Sequence, residues 1–194
     1  MTTTQCSRCH REVPGWDGVH QSDGKGRDLG FVCGRCWAQV LSKHVGEDLA
    51  HLEVKPITIE DAAGHSYEFR FRYSPVPGIL KAFEFKDGNP EGYEFSILAE
   101  EDEPSASLVG RLLEKIRLGI ANQHLEPCSI TSGGLSIKGK TVRGRIEWDD
   151  DEDGRVPLVT IDGRSIPWDQ FGRMLMQFEG WHFKMDILDE SEES

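Results

Sequence analysis

Tyr67-Glu68-Phe69-Arg70-Phe71-Arg72-Tyr73 sets an aromatic ring at every second position and a charge between each pair. In a β-strand successive side chains point to opposite faces, so this stretch predicts a strand with one aromatic face in a core and one wet face. Outward from it the same alternation recurs twice. Val142, Ile146 and Trp148 alternate with Arg143, Arg145 and Glu147, and Trp181, Phe183, Met185 and Ile187 alternate with His182, Lys184 and Asp186. Further strands are expected over 55–60, 79–85, 93–99 and 158–161. Asp162-Gly163 between two apolar runs is a strong hairpin signal. Lys86 to Gly92 reads as a longer loop between strands, and Lys138-Gly139-Lys140 as a third tight connection.

Two helical patterns interrupt the strands. Ser105 to Leu125 carries Leu108, Leu112, Ile116 and Ile120 on one stripe, widened by Val109 and Leu113, with acidic Glu100 to Glu103 ahead of it. From Pro167 to Glu179 the stripe is Trp168, Phe171, Leu175 and Phe178, with Gly180 as the stop. The expected fold class is α+β: a mostly antiparallel sheet with two helices, preceded by a small cysteine-rich segment.

That segment reads Cys6-Ser-Arg-Cys9, then 23 residues, then Cys33-Gly-Arg-Cys36. Two C-x-x-C pairs at this separation match a tetrahedral four-thiolate zinc site. Each pair converges on one ion only if the backbone folds into a tight knuckle whose N–H groups point at the sulfurs. Four thiolates close the coordination shell, so the expected role is structural, with Cys6, Cys9, Cys33 and Cys36 as ligands of a Zn²⁺ ion. Arg8 and Arg35, each just before the second cysteine of a pair, are candidates to offset the negative charge. Gly34 is the candidate for a left-handed knuckle residue. Disulfides suit an exported chain, and the opening M-T-T-T-Q-C has neither a basic nor an apolar region of a secretory signal. Iron in a rubredoxin-like site uses similar pairs, although His10 and Trp37 stand where glycine usually follows.

After Cys36, Trp37, Val40, Leu41 and His44 fall at helical spacing, and five glycines between the pairs suit a hairpin. A knuckle, a hairpin and a helix carrying the last ligands resemble the treble-clef class of zinc fingers, over about residues 5 to 50. Treble clefs serve nucleic-acid-binding, protein-binding and enzymatic proteins, so the resemblance implies a scaffold and not a job. The stretch from Asp162 to Asp189 is similar to the C-terminal domain of uncharacterised bacterial proteins, some of which carry an N-terminal zinc-finger-like segment. That likeness implies no activity or catalytic residue.

Composition narrows the function. In 194 residues there are 22 basic and 34 acidic side chains, a net charge of −12. Met1 to Leu52 is balanced, six against six, so the whole excess lies beyond it. Four of the five cysteines also precede residue 37. The two changes predict a boundary: residues 1–52 as a zinc-binding treble-clef-like domain, and 53–194 as an antiparallel α+β domain ending in an acidic disordered tail. An acidic body disfavours sequence-blind binding to nucleic acid or anionic lipid. No apolar run approaches a membrane span.

Catalytic motifs are missing: no phosphate loop, no nucleophile elbow, no H-E-x-x-H. Cys128 with His124 offers a nucleophile and a base without an orienting third group. Asp149 to Gly154 (D-D-D-E-D-G) matches the opening of a calcium loop, but Thr160 stands where its bidentate Glu belongs. The leading expectation is a non-enzymatic cytoplasmic protein with structural zinc and an unidentified protein partner. The alternatives are nucleic-acid recognition through Arg8, Arg11, Lys25, Arg27 and Arg35, and an enzyme with its site in a pocket of the α+β part.

Overall fold

The computed structural model describes residues 3–46, 52–129 and 133–189. His51 and the end of the acidic tail, 190–194, lie outside the described residues. The fold is α+β, and among the described residues three helices and five antiparallel sheets are built around three hydrophobic clusters.

The N-terminal lobe begins with a hairpin of β1 (Thr3–Gln5) and β2 (Glu12–Pro14), whose connection carries the first cysteine pair. A second hairpin follows, β3 (Gly18–Ser22) with β4 (Asp28–Cys33). Helix α1 (Gly34–Val45) continues from β4 without a break and ends at left-handed Gly46. Its small core is Cys6, Val32, Cys33 and Cys36, with Cys9, Val13 and Trp37 packed on it. With so little apolar surface to bury, a lobe of this size needs a staple.

The Tyr67–Tyr73 ribbon lies in a four-stranded sheet ordered β5 (Ile57–Glu60), β6 (Ser66–Ser74), β7 (Ile79–Lys86), β8 (Asn89–Leu98). Phe69, Phe71, Leu80 and Phe95 form its inner face, and α2 (Ser105–Ala121) lays Leu108, Leu112, Ile116 and Ile120 against them. The helical stripe read from sequence is thus the buried one. Residues 86–92 form no long loop: β7 and β8 meet across a two-residue turn at Asp87 (φ 51°) and Gly88 (φ 85°). Asp and Gly tolerate those angles, so the Asn89-Pro90 pair already belongs to the edge strand β8.

The opposite face of this sheet is only partly wet. Arg70 stacks over Phe85 (4.2 Å) and pairs with Glu68 (2.8 Å), its neighbour on the same strand. Arg72 lies over Phe83 and donates to the carbonyl of Trp16 (3.2 Å), while the Trp16 ring meets Phe85 edge-on at 5.2 Å. The N-terminal lobe therefore packs on the face opposite α2.

Two glycines of α2 give opposite expectations. A Cβ added at exposed Gly110 meets nothing within 4 Å, whereas one at Gly119 lands 2.3 Å from the Phe95 ring. Gly110→Ala is expected to stabilise by about 0.5–1 kcal/mol through helix propensity. Gly119→Ala is expected to destabilise by about 1–3 kcal/mol because the packed ring must move. Urea midpoints of the two variants check both signs.

The remaining residues build a third unit. β9 (Leu125–Pro127) pairs with β10 (Leu135–Ile137), and β11 (Arg145–Trp148), β12 (Pro157–Ile161) and β13 (Arg164–Pro167) form a three-stranded sheet in that order. The Asp162-Gly163 turn joins β12 to β13 as expected, with φ of 50° and 66°. Lys138 to Lys140 is a turn, but it joins β10 to β11, which do not pair. Helix α3 (Trp168–Leu175) is shorter than expected and passes into a 3-10 turn at Met176–Phe178. Its buried residues are Phe171 and Met174, while Trp168 and Leu175 are exposed.

Two expectations are corrected here. In β11 the half-buried positions are Arg145 and Glu147, and Ile146 and Trp148 face outward at 60% and 67% exposure. Residues 138–144 turn before the strand starts, so Val142 and Ile146 do not share one pleat, and Glu94 of β8 supplies Arg145 with an ion partner. Residues 181–189 form no strand, and Phe183 is 88% exposed.

Candidate metal centre

The first knuckle is shaped by backbone hydrogen bonds. Cys6 N–H donates to the Arg11 carbonyl and His10 N–H to the Cys6 carbonyl, both at 2.9 Å. His10 takes the left-handed φ of 57° that closes this turn. Gly34 does not have that role; it is the first residue of α1. Another left-handed residue is Gly30 (φ 90°), where a Cβ would stand 3.3 Å from Ser7 Cβ. Only glycine combines that angle with so close an approach. Ser7 N–H then donates to the Phe31 carbonyl (2.8 Å), fastening the first knuckle to the strand that leads into the second.

The fastening brings the sulfurs together. The Sγ atoms of Cys6, Cys9, Cys33 and Cys36 all lie within 4.8 Å of one another. Cys9 and Cys33 are 3.9 Å apart, far beyond a disulfide bond of about 2.05 Å. Tetrahedral zinc with Zn–S of about 2.3 Å places its sulfurs about 3.8 Å apart, so the four residues fit one such ion. Among the described residues this is the one group of His, Cys, Asp or Glu atoms that converges for a metal. Its identity as a four-cysteine cluster able to hold a metal ion follows from this geometry.

The electrostatics agree. Burial pushes the Cys6 thiol up, but N–H groups of Cys33, Cys9 and Arg8 aimed at its sulfur outweigh that and bring it to about 6. The Cys33 N–H is 3.4 Å from that sulfur. Cys9 is lowered by the backbone N–H and then the side chain of Arg11. Cys33 is raised by burial, and burial with the neighbouring sulfurs pushes Cys36 up to about 12. Four thiolates at this spacing repel one another, and a divalent cation is what lets all four ionise.

Arg11, rather than Arg8 or Arg35, is the cation engaged with the cluster, through Cys9, although all three arginines are exposed. A guanidinium reaches a sulfur only where the backbone path points it there, and that path is set by His10, not by the C-x-x-C spacing. Arg11→Ala is expected to lower zinc affinity by roughly 10-fold, as loss of such outer partners commonly does. The Arg8→Ala/Arg35→Ala double variant is expected to leave it unchanged. Competition titration with a chromophoric chelator checks the pair.

The other sequence candidates are not drawn into a site. His20 packs edge-on against Phe31, and His44 Nδ1 donates to the Val40 carbonyl at 2.9 Å. His124 Nδ1 donates to the Thr141 carbonyl (3.0 Å), which occupies one of its ring nitrogens. Asp149 to Gly154 forms the turn between β11 and β12, where the buried Asp149 carboxylate accepts from Asp151 N–H at 3.0 Å. Thr160 is buried within β12, away from any calcium-loop geometry. Arg27 pairs with Asp23 at 3.2 Å in the β3–β4 turn. A shallow depression of about 420 Å³ lies beside α3, lined by Trp168, Asp169, Gly172, Arg173 and Met176.

Residues 50–121 match the family model described as Domain of unknown function (DUF7686), and residues 124–192 match the Domain of unknown function (DUF7713). The seam between them falls where α2 ends and β9 begins, between the second and third hydrophobic clusters. No curated protein and no solved structure matches the chain. Among the described residues, no helix is long and apolar enough to cross a membrane.

Proposed function

We propose that the N-terminal lobe is a treble-clef-like zinc module in which Cys6, Cys9, Cys33 and Cys36 hold one structural Zn²⁺, and that the chain is a non-enzymatic protein-interaction or adaptor protein. The observation that carries the metal reading is the convergence of four sulfurs to within 4.8 Å of one another. The order of elements supports the scaffold: a knuckle, a hairpin, then a helix whose first turn contains Cys36. Four protein ligands leave zinc no open position, so the ion stabilises and does not catalyse.

The interaction reading is supported by the third unit. Trp148, Trp168, Met176, Trp181 and Phe183 are exposed on or beside it, large apolar side chains of the types enriched where partners bind. Native mass spectrometry of protein purified from the cells that make it tests both parts. One zinc per chain and a retained second polypeptide are expected. A metal-free chain of native fold would end the metal reading, and a chain that retains no polypeptide would end the interaction reading.

A further inference from the structure

We infer that residues 182–186 are an exchange strand that pairs antiparallel with the β11 edge of a second copy of this chain, making a two-fold symmetric dimer. This rests on the reading of the chain as a protein-interaction module and names its partner. Three observations carry it.

The first is an unused strand. His182 to Ile187 alternates apolar and polar side chains, yet forms no ladder, with Phe183, Met185 and Ile187 at 61–88% exposure. Lys184 and Asp186 already meet each other at 3.1 Å, as two residues on one side of a strand do. The second is an unused edge. β11 ends its sheet, presenting Ile146 and Trp148 on one side and Arg145 and Glu147 on the other. An edge with exposed apolar side chains is a template for pairing with another chain.

The third observation is charge complementarity, which selects the register. With Arg145 opposite Asp186, Ile146 falls opposite Met185, Glu147 opposite Lys184 and Trp148 opposite Phe183. Both polar pairs are then opposite in sign and both others are apolar. A slip of two residues either way sets Arg145 against Lys184 or Glu147 against Asp186, like charges in each case. The two strands therefore specify one antiparallel alignment.

The chain's own tail does not make that alignment: Trp181 is held against Phe178 (ring centroids 5.6 Å) and under Lys140 Nζ (5.0 Å), and residues 181–187 form no ladder with β11. In the alignment Trp181 falls beyond Trp148, at the end of β11 away from Arg145. A second copy supplies the strand, and reciprocal exchange about a two-fold axis gives both copies the same contact.

Sedimentation equilibrium of the zinc-loaded full chain at high micromolar concentration tests this. A mass of twice the 21.8 kDa chain is expected. Phe183→Asp, at a position with no packing to lose, is expected to return the mass to that of one chain. Lys184→Glu and Glu147→Lys are each expected to weaken the dimer at least tenfold, and the double variant to restore it. Hydrogen exchange supplies a readout independent of the variants: amides of 183–187 are expected to be protected when concentrated and to lose protection on dilution. A monomeric full chain, a dimer indifferent to Phe183→Asp, or protection that survives dilution overturns the exchange. A monomer that retains a different protein in native spectra overturns the exchange while leaving the interaction reading in place; a monomer that retains none ends both.

Discussion

Cys33→Ala unfolds the N-terminal lobe and leaves the remaining two units folded: that is the expected result of removing one ligand. Cys33 belongs to the sulfur cluster and to the lobe's small core, and its N–H also donates to Cys6. The apolar residues beside the sulfurs are few, so packing alone does not hold about 40 residues in place. Thiolate–zinc binding supplies on the order of 10 kcal/mol or more of folding free energy at neutral pH, which exceeds what any single side-chain contact here contributes. Amide hydrogen exchange reads the outcome region by region. Protection over 3–46 is expected to vanish in Cys33→Ala and after strong chelation, while the β6, β7 and α2 amides keep theirs. Acid acts in the same direction, since protons compete with the metal for sulfur. A secondary loss is expected on the face of the sheet opposite α2, where Trp16 no longer covers Phe85. Unchanged protection of the lobe after metal removal would contradict the staple.

The second large effect is expected at Asp162. Its Oδ2 accepts the N–H groups of His124 and Leu125, both at 2.7 Å, and the residue itself sits at φ 50° in the β12–β13 turn. One carboxylate thus ties the start of β9, where one matched family region gives way to the next, to the hairpin of the third sheet. The adjoining Gly163 carbonyl receives Lys86 Nζ at 3.1 Å, so the same turn also reaches the four-stranded sheet. Hydrogen bonds to a charged acceptor contribute about 1.5–3 kcal/mol each, and their loss strands two donors. Alanine in the left-handed region adds roughly 1 kcal/mol. Asp162→Ala is therefore expected to cost about 4–7 kcal/mol, combining those contributions. Asp162→Asn keeps an acceptor and tolerates the angle, so it is expected to lose less than half as much. Denaturant midpoints followed through the tryptophans of the third unit measure the difference, and equal losses for the two variants would contradict the role given to the carboxylate.

Much of this was legible in the residues. The four cysteines announce a metal cluster because two thiols three apart have one common way to converge. Tyr67 to Tyr73 and the Leu108-Leu112-Ile116-Ile120 stripe are long, regular patterns with one face to bury, and both lie in the core as read. What failed did so for lack of a partner in view. The alternation in Ile146 and Trp148 says that one face of β11 is apolar, but Glu94, distant in sequence, decides that Arg145 turns inward. Trp181 to Ile187 has the period of a strand, and a strand needs a neighbouring edge that the sequence pattern does not specify. Arg11 was hidden for a similar reason: its approach to Cys9 depends on the left-handed turn at His10, and no spacing rule carries that information.

Zinc K-edge X-ray absorption on protein purified from its own cells tests the central claim most directly. One zinc per chain surrounded by four sulfurs at about 2.3 Å is the predicted result. A metal-free protein, or a first shell containing nitrogen or oxygen in place of any of the four sulfurs, would contradict it.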